Sequence, residues 1–128
     1  MIVLGWKVGL ESQISKLLGS NIEPFASQLM NDQKSSELTW AIHPGGKAII
    51  NTIEEKLSIP KDRTKSTWEV YNKFGNVSSG TIYFVLENIL NKQRETPFDT
   101  CQDVVALAFG PGLAMEGARL KLCTPAEA

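Results

Sequence analysis

The chain has 128 residues, 42% hydrophobic and 21% charged, enough for one domain with its own core and too few for two. Thirteen basic against fourteen acidic side chains leave a net charge of −1, so no global field points to nucleic acid or to a membrane surface. No run of about eighteen apolar residues suits a spanning helix, and two distant cysteines without a CxxC read as free thiols in a reducing, cytoplasmic setting.

In chain order, the opening residues lack the basic and long apolar regions of a signal peptide, and residues 2 to 8 suit a strand. From Gln13 onward, Ile14, Leu17, Leu18, Phe25 and Leu29 keep an apolar stripe on one helix face. Pro24 is expected to kink or divide that helix, with Ser20 and Glu23 offering a capping box for its second half. The polar stretch Asn31 to Glu37 forms a loop before a short strand, Leu38 to Ile42, which His43-Pro44-Gly45-Gly46 breaks.

Ile49, Ile50, Ile53 and Leu57 line a helix that ends before Pro60. Asp62 is placed to cap the next one, which carries Trp68, Tyr71 and Phe74. Gly75-Asn76 makes a turn with Ser78 as the following N-cap, and Ile82, Val85, Leu86, Ile89 and Leu90 then recur at helical spacing. After a loop around Pro97, Asp103 to Phe109 reads as a buried strand. Gly110-Pro111-Gly112 turns the chain, and Ala118, Leu120 and Leu122 alternate with Arg119 and Lys121 in a last strand, antiparallel to the one before. This order predicts a layered α/β fold with a mixed sheet.

Three segments carry candidate chemistry. His43 ends a short apolar strand, and the rigid Pro44 with Gly45 and Gly46 would leave it projecting into the crevice at the strand's carboxyl end, where open α/β sheets hold ligands. A structural histidine on a tight turn is the competing reading, and the local pattern by itself leans to it. Asn76 precedes a helix N-terminus and could present its amide to a developing oxyanion, or serve with Ser78 as plain turn and cap chemistry. Ala108-Phe109-Gly110-Pro111-Gly112 either walls a cavity or makes a hairpin turn, and spacing leaves both open. No P-loop, GxGxxG or HExxH occurs, and one histidine with two distant cysteines makes no metal site. Glu54 and Glu55 read as solvated helix surface, and Trp40, Trp68 and Phe74 as core. Cys101, read as part of a polar loop, lacks the strand-to-helix elbow expected of a nucleophile.

Taken in order, His43-Pro44-Gly45-Gly46, Gly75-Asn76-Val77-Ser78-Ser79 and Ala108-Phe109-Gly110-Pro111-Gly112 resemble the HPGG, GNxSS and GFGPG motifs of the chalcone and stilbene synthase (type III polyketide synthase) family. The resemblance covers nearly the whole chain, so residues 1–128 would be that family's C-terminal domain. Ala108 stands where the family has its first glycine. The resemblance implies a thiolase-like fold, C-terminal half only, and an acyltransferase that condenses malonyl-CoA with an acyl-CoA starter through a Cys-His-Asn triad. His43 and Asn76 would be catalytic, and Gly45, Gly46, Ser78, Phe109, Gly110, Pro111 and Gly112 would shape the cavity or its turns.

No cofactor and no metal is implied, only CoA thioesters as substrates. Neither Cys101 nor Cys123 matches the family's nucleophile motif, so the chain is expected to be inactive alone and to work beside a chain supplying the cysteine half, or as a homodimer. A non-catalytic module that binds CoA thioesters or pairs with a synthase is the competing expectation. A ketoacyl synthase type would place a second histidine where Asn76 stands, and the sequence has a single histidine.

Overall fold

A computed structural model describes residues 18–95, 101–110 and 114–123. The strand expected at residues 2 to 8, Ile14 and Leu17, the loop around Pro97, and Pro111 and Gly112 lie outside the described residues. The elements are helix α1 (18–30), strand β1 (Thr39–Ile42), helices α2 (Lys47–Lys56), α3 (Lys65–Phe74) and α4 (Thr81–Arg94), and strands β2 (Cys101–Gly110) and β3 (Ala114–Cys123). Short 3-10 turns at Ser35–Glu37, Lys61–Thr64 and Ser78–Gly80 join them.

The described sheet has the order β1-β2-β3 and is mixed. β1 runs parallel to β2 with Thr39 opposite Val104, and β2 runs antiparallel to β3 from Cys101 opposite Cys123 to Gly110 opposite Ala114. Alternation along the strands sends successive side chains to opposite faces. Trp40, Ile42, Val105 and Leu107 meet Leu18, Ile22 and Ala26 of α1 and Ile49 and Ile53 of α2 on one face. Ala41 and Val104 meet Val70 of α3 and Val85 and Ile89 of α4 on the other. β1 and the middle of β2 are therefore buried between two helix layers, while β3 stays half-buried or exposed. Each fully buried Leu, Ile or Val contributes roughly 1.5–3 kcal/mol, which outweighs local propensity wherever the two conflict. Trp40 is completely buried, and its indole N–H donates to Ser35 O at 2.9 Å, so the burial strands no polar atom.

Pro24 shows that override. α1 runs unbroken through it, and the capping box at Ser20 and Glu23 is not used, because Ser20 is already helical. The ring sits on the exposed side, two residues from Ile22 and Ala26, which are fully buried on the opposite side, so a lost backbone bond is offset by core packing. α1 lies across β3 at Gly117, where a Cβ would collide with Leu29 Cδ1 and lie 3.0 Å from Phe25 Cε1. Arg119 of β3 completes this junction. Its Nη1 donates to the carbonyls of Met30 at 2.7 Å and Leu29 at 3.2 Å, satisfying orphan acceptors at the helix end. Its Nη2 reaches Gln33 and, at 3.4 Å, Asp103.

Four further expectations are corrected. Asp62 caps nothing: Thr64 occupies the α3 N-cap position, and Asp62 is exposed beside Arg63 at 3.6 Å. Ser78 is not the N-cap of α4; it opens a 3-10 turn, and Gly80 holds the cap position. Glu54 is buried rather than solvated, because the Lys61–Thr64 turn and α3 fold over that face of α2 and supply donors to it: Thr64 Oγ1 at 2.5 Å and Trp68 Nε1 at 2.6 Å, with Lys61 completing the set. Trp40 is core as expected, but Trp68 is half-buried and Phe74 is exposed, since Thr67 and Val70 are α3 residues that face the sheet.

Candidate active site

His43 stands immediately past β1. Its backbone N–H donates to Leu107 O at 2.8 Å, extending the parallel ladder by one bond before Pro44 ends it. Gly45 N–H donates back to His43 O at 2.8 Å in a tight three-residue turn, and Gly46 then serves as N-cap of α2, its carbonyl accepting from Ile50 N–H at 3.1 Å. The turn draws the Gly45 backbone over the imidazole. A Cβ there would stand 3.4 Å from His43 Cδ2 and 3.7 Å from Nε2, so glycine leaves that ring edge uncovered. The neighbouring edge of β1 is held by Thr67, whose Oγ1 accepts from Ile42 N–H at 3.1 Å and donates to Trp40 O at 3.4 Å.

Asn76 reaches the same place from the α3–α4 connection. Its Oδ1 accepts from Ser78 N–H at 2.9 Å and its Nδ2 donates to Gly45 O at 3.3 Å. Exchanging the amide's oxygen and nitrogen would oppose donor to donor and acceptor to acceptor, so the network sets the orientation of the carboxamide. One amide hydrogen is spent on Gly45, and the second is left for a ligand. The bend that makes this geometry requires Ser78 at a φ of 71°, in the left-handed region. Thr81 secures it, its Oγ1 accepting from Val77 N–H at 2.9 Å and donating to Ser78 O at 2.7 Å. Thr81 went unnoticed in the sequence; a threonine three residues after Ser78 was the available signal.

These segments meet at one open cleft of about 450 Å³. His43, Gly45, Asn76, Ser78 and Ser79 line one part of it, and Ala108, Phe109 and Gly110 at the end of β2 line another. Ile49 adds an apolar wall that sequence reasoning did not single out. Gly46 is buried at the helix cap and does not line the cleft. The arrangement follows from topology. β1 and β2 are parallel, so their carboxyl ends lie together, and the chain reverses there into α2. Burial of His43, which is 8% exposed, lowers its pKa from the ordinary 6.5, so the imidazole is neutral at neutral pH. Asn76 is exposed, which leaves its free hydrogen accessible.

The cysteines do not belong to this cleft. Cys101 and Cys123 are the opposed first and last residues of the β2–β3 ladder and are joined in a disulfide. They are neither free thiols nor, in the case of Cys101, part of a loop. Antiparallel pairing brings together residues 22 apart in sequence, which spacing alone does not reveal. At about 3.3 Å per residue, Cys101 lies more than 20 Å along β2 from the Ala108 end. Among the described residues no group of three His, Cys, Asp or Glu side chains could hold a metal ion, and no helix is long and apolar enough to cross a membrane.

A mixed sheet between helix layers, with an imidazole and a carboxamide meeting beyond the ends of parallel strands, is the architecture of the C-terminal half of a thiolase-like fold. Residues 2–124 match the family model for chalcone and stilbene synthases, C-terminal domain, and the chain belongs to that family. It is 38% identical over 125 residues to probable polyketide synthase 1 of Dictyostelium discoideum, a match covering 91% of this chain and 4% of that protein. It is 34% identical to type III polyketide synthase 10 of Oryza sativa, covering 88% and 31%. Among solved structures it is similar to the C-terminal type III domain of a type I/III hybrid synthase from Dictyostelium, at TM-score 0.73 and 36% identity, covering 87% of this chain and 31% of that one. A synthase from the brown alga Ectocarpus siliculosus matches at TM-score 0.68 and 25% identity, covering 82% and 29%. The chain thus spans less than a third of the length of these relatives.

Proposed function

We propose that this chain supplies the histidine and asparagine of a type III polyketide synthase site, an acyltransferase that condenses malonyl-CoA with an acyl-CoA starter. The convergence of His43 and Asn76 on one cleft carries the reading. In the decarboxylative step the bond between the malonyl methylene carbon and its carboxylate breaks. Carbon dioxide leaves, and the electron pair passes to the thioester oxygen as an enolate. The enolate carbon then attacks an acyl thioester held on a cysteine, and the thiolate departs.

Both stages concentrate negative charge on a thioester oxygen. A neutral imidazole N–H and the unspent Asn76 amide hydrogen are donors suited to that charge, and a carboxamide held by two bonds to backbone needs little reorganisation. The neutral state of His43 favours hydrogen-bond donation to the oxygen over ion pairing with it. Phe109 and Ile49 would exclude water from the acyl chain. The nucleophile must come from polypeptide outside these 128 residues, because the sequence has two cysteines and both are in the disulfide.

The experiment is reconstitution of the chain with a cysteine-bearing synthase half, following release of carbon dioxide from carboxyl-labelled malonyl-CoA. The reconstituted pair should decarboxylate, the chain alone should not, and His43→Ala or Asn76→Ala should each lower the rate by about 10²–10³ at unchanged circular dichroism. Turnover by the purified chain alone, or full rates in both variants, would refute the assignment.

A further inference from the structure

A second, smaller pocket lies at the opposite end of the sheet from the cleft, beside the amino ends of β1 and β2. Thr39 and Gln102 line it from the sheet, Lys65 and Ser66 from the start of α3, and Ile89 and Lys92 from α4. It encloses about 160 Å³, well below the roughly 300–1,000 Å³ of a pocket for an organic ligand, so its size suits a small ion. Ser66 points to that ion. The residue is 7% exposed, yet its hydroxyl makes no hydrogen bond among the described residues. Thr64, Thr67 and Thr81, equally buried, all bond through theirs. A buried hydroxyl left unpaired lowers stability, so one that persists on the wall of a pocket marks a ligand's place.

Two observations give the ligand's charge. Thr64 holds the N-cap position of α3, but its hydroxyl donates to Glu54, and no side chain caps the helix. The first turn has no acidic residue and begins with Lys65, the reverse of what the positive end of a helix dipole favours. The pocket lining also sets three cations, Arg63, Lys65 and Lys92, against one carboxylate, Asp62. Lys92 is paired with Glu69 at 2.5 Å. Asp62, 74% exposed, meets Arg63 only through Nε at 3.6 Å. Both terminal guanidinium nitrogens and the Lys65 ammonium thus stay uncommitted among the described residues. On the sheet side Thr39 Oγ1 donates to Gln102 and Gln102 Nε2 to Gln93, each at 3.0 Å, so the frame is ordered before a ligand arrives.

We propose that this pocket binds an oxyanion of the phosphate class, held by the Ser66 hydroxyl, the Arg63 guanidinium and the Lys65 ammonium at the amino end of α3. A tetrahedral oxyanion offers an oxygen to each of these donors, and it reverses the unfavourable placement of Lys65 by setting negative charge against the helix end. The site is independent of the catalytic reading of the cleft, because the two share no lining residue.

Inorganic phosphate is the probe, followed by phosphorus NMR line broadening and by thermal melting of the full chain near neutral pH, with sodium chloride at matched ionic strength as reference. Saturating phosphate should raise the melting temperature about 3 °C or more above chloride. Ser66→Ala should weaken phosphate binding about tenfold. Its melting temperature in chloride should hold or rise, since an unpaired hydroxyl is removed; a merely structural serine would lower it. Arg63→Gln combined with Lys65→Gln should weaken binding about a hundredfold. Lys34→Gln combined with Lys56→Gln, the same charge change at exposed positions elsewhere, should leave it within about twofold. Methyl phosphate separates the sources: equal affinity assigns the site to a phosphate monoester, and weaker affinity to the free ion. A melting temperature no higher in phosphate than in chloride would overturn the site. So would binding unchanged in Ser66→Ala, or a loss as large in the Lys34 and Lys56 pair as in the Arg63 and Lys65 pair.

Discussion

Glu54 offers the sharpest test of how the scaffold beneath the cleft is held. Its carboxylate is 5% exposed and joins α2 to the start of α3. One oxygen, Oε1, accepts from both Thr64 Oγ1 at 2.5 Å and Trp68 Nε1 at 2.6 Å, and the other accepts from Lys61. Glu54→Ala leaves three donors without this acceptor, but they do not suffer equally. Thr64 can turn fully to Lys61 O, already 3.3 Å away, and Lys61, whose side chain is 71% exposed, returns to water. The Trp68 N–H, fixed in a half-buried ring, has no such alternative. One stranded donor costs about 1–3 kcal/mol, and the lost charged bonds and packing add to it, so Glu54→Ala should cost about 2–4 kcal/mol. Glu54→Gln keeps an acceptor at the Oε1 position for Thr64 and Trp68 and loses only the contact with exposed Lys61. It should cost about 1 kcal/mol or less. Urea unfolding at pH 7 followed by circular dichroism measures both. Equal losses for the two variants, or an alanine variant within 0.5 kcal/mol of the parent, would refute this account of the buried carboxylate.

Further outcomes follow from the same geometry. Stability should fall on acidification in two stages: the unfolded imidazole binds its proton near 6.5 while buried His43 resists it, so the loss begins below pH 6.5. For Glu54, burial raises the pKa, but the hydrogen bonds from Lys61, Thr64 and Trp68 and the Lys61 charge outweigh it and lower the folded value below 4.5. Its contribution is therefore lost as pH falls through that lower value, and His43→Gln should abolish only the first stage of a melting-temperature titration. Cys101→Ser should destabilise the chain by roughly 3 kcal/mol, by removing a crosslink over 22 residues; alkylation of both cysteines without prior reduction would contradict the pairing. Gly45→Ala should fold normally, since its Cβ meets His43 and Ile49 at 3.4 Å, yet cover the imidazole edge. Carbethoxylation of the single histidine should then slow several-fold, and an unchanged rate would show that the edge is not the exposed one.

Much of the scaffold was legible in residue order because its elements carry strong local patterns. β1, α2, α4 and the closing antiparallel pair follow apolar periodicity closely, and the His43, Asn76 and Phe109 segments were identifiable as motifs. Their convergence depends on β1 lying parallel to β2 and on a φ of 71° at Ser78, and neither condition is written in any local window. The misread positions share one cause. Glu54 looked solvated because its donors stand on the 3-10 turn and helix that follow, seven to fourteen residues away. Pro24 looked like a break because the packing that carries α1 through it comes from the sheet. The cysteines looked free because strand register, not spacing, sets them face to face.

What the sequence determined by itself was therefore the kind of elements, their order, and which residue types could do chemistry at their ends, since these rest on periodicity and on short-range turn chemistry. Tertiary structure alone decided which of those residues meet, which carboxylate is buried, which thiols pair, and which buried serine faces a basic pocket at the start of α3. The physical reason is that burial and hydrogen-bond satisfaction belong to neighbours in space, and a folded chain draws those neighbours from distant parts of its length.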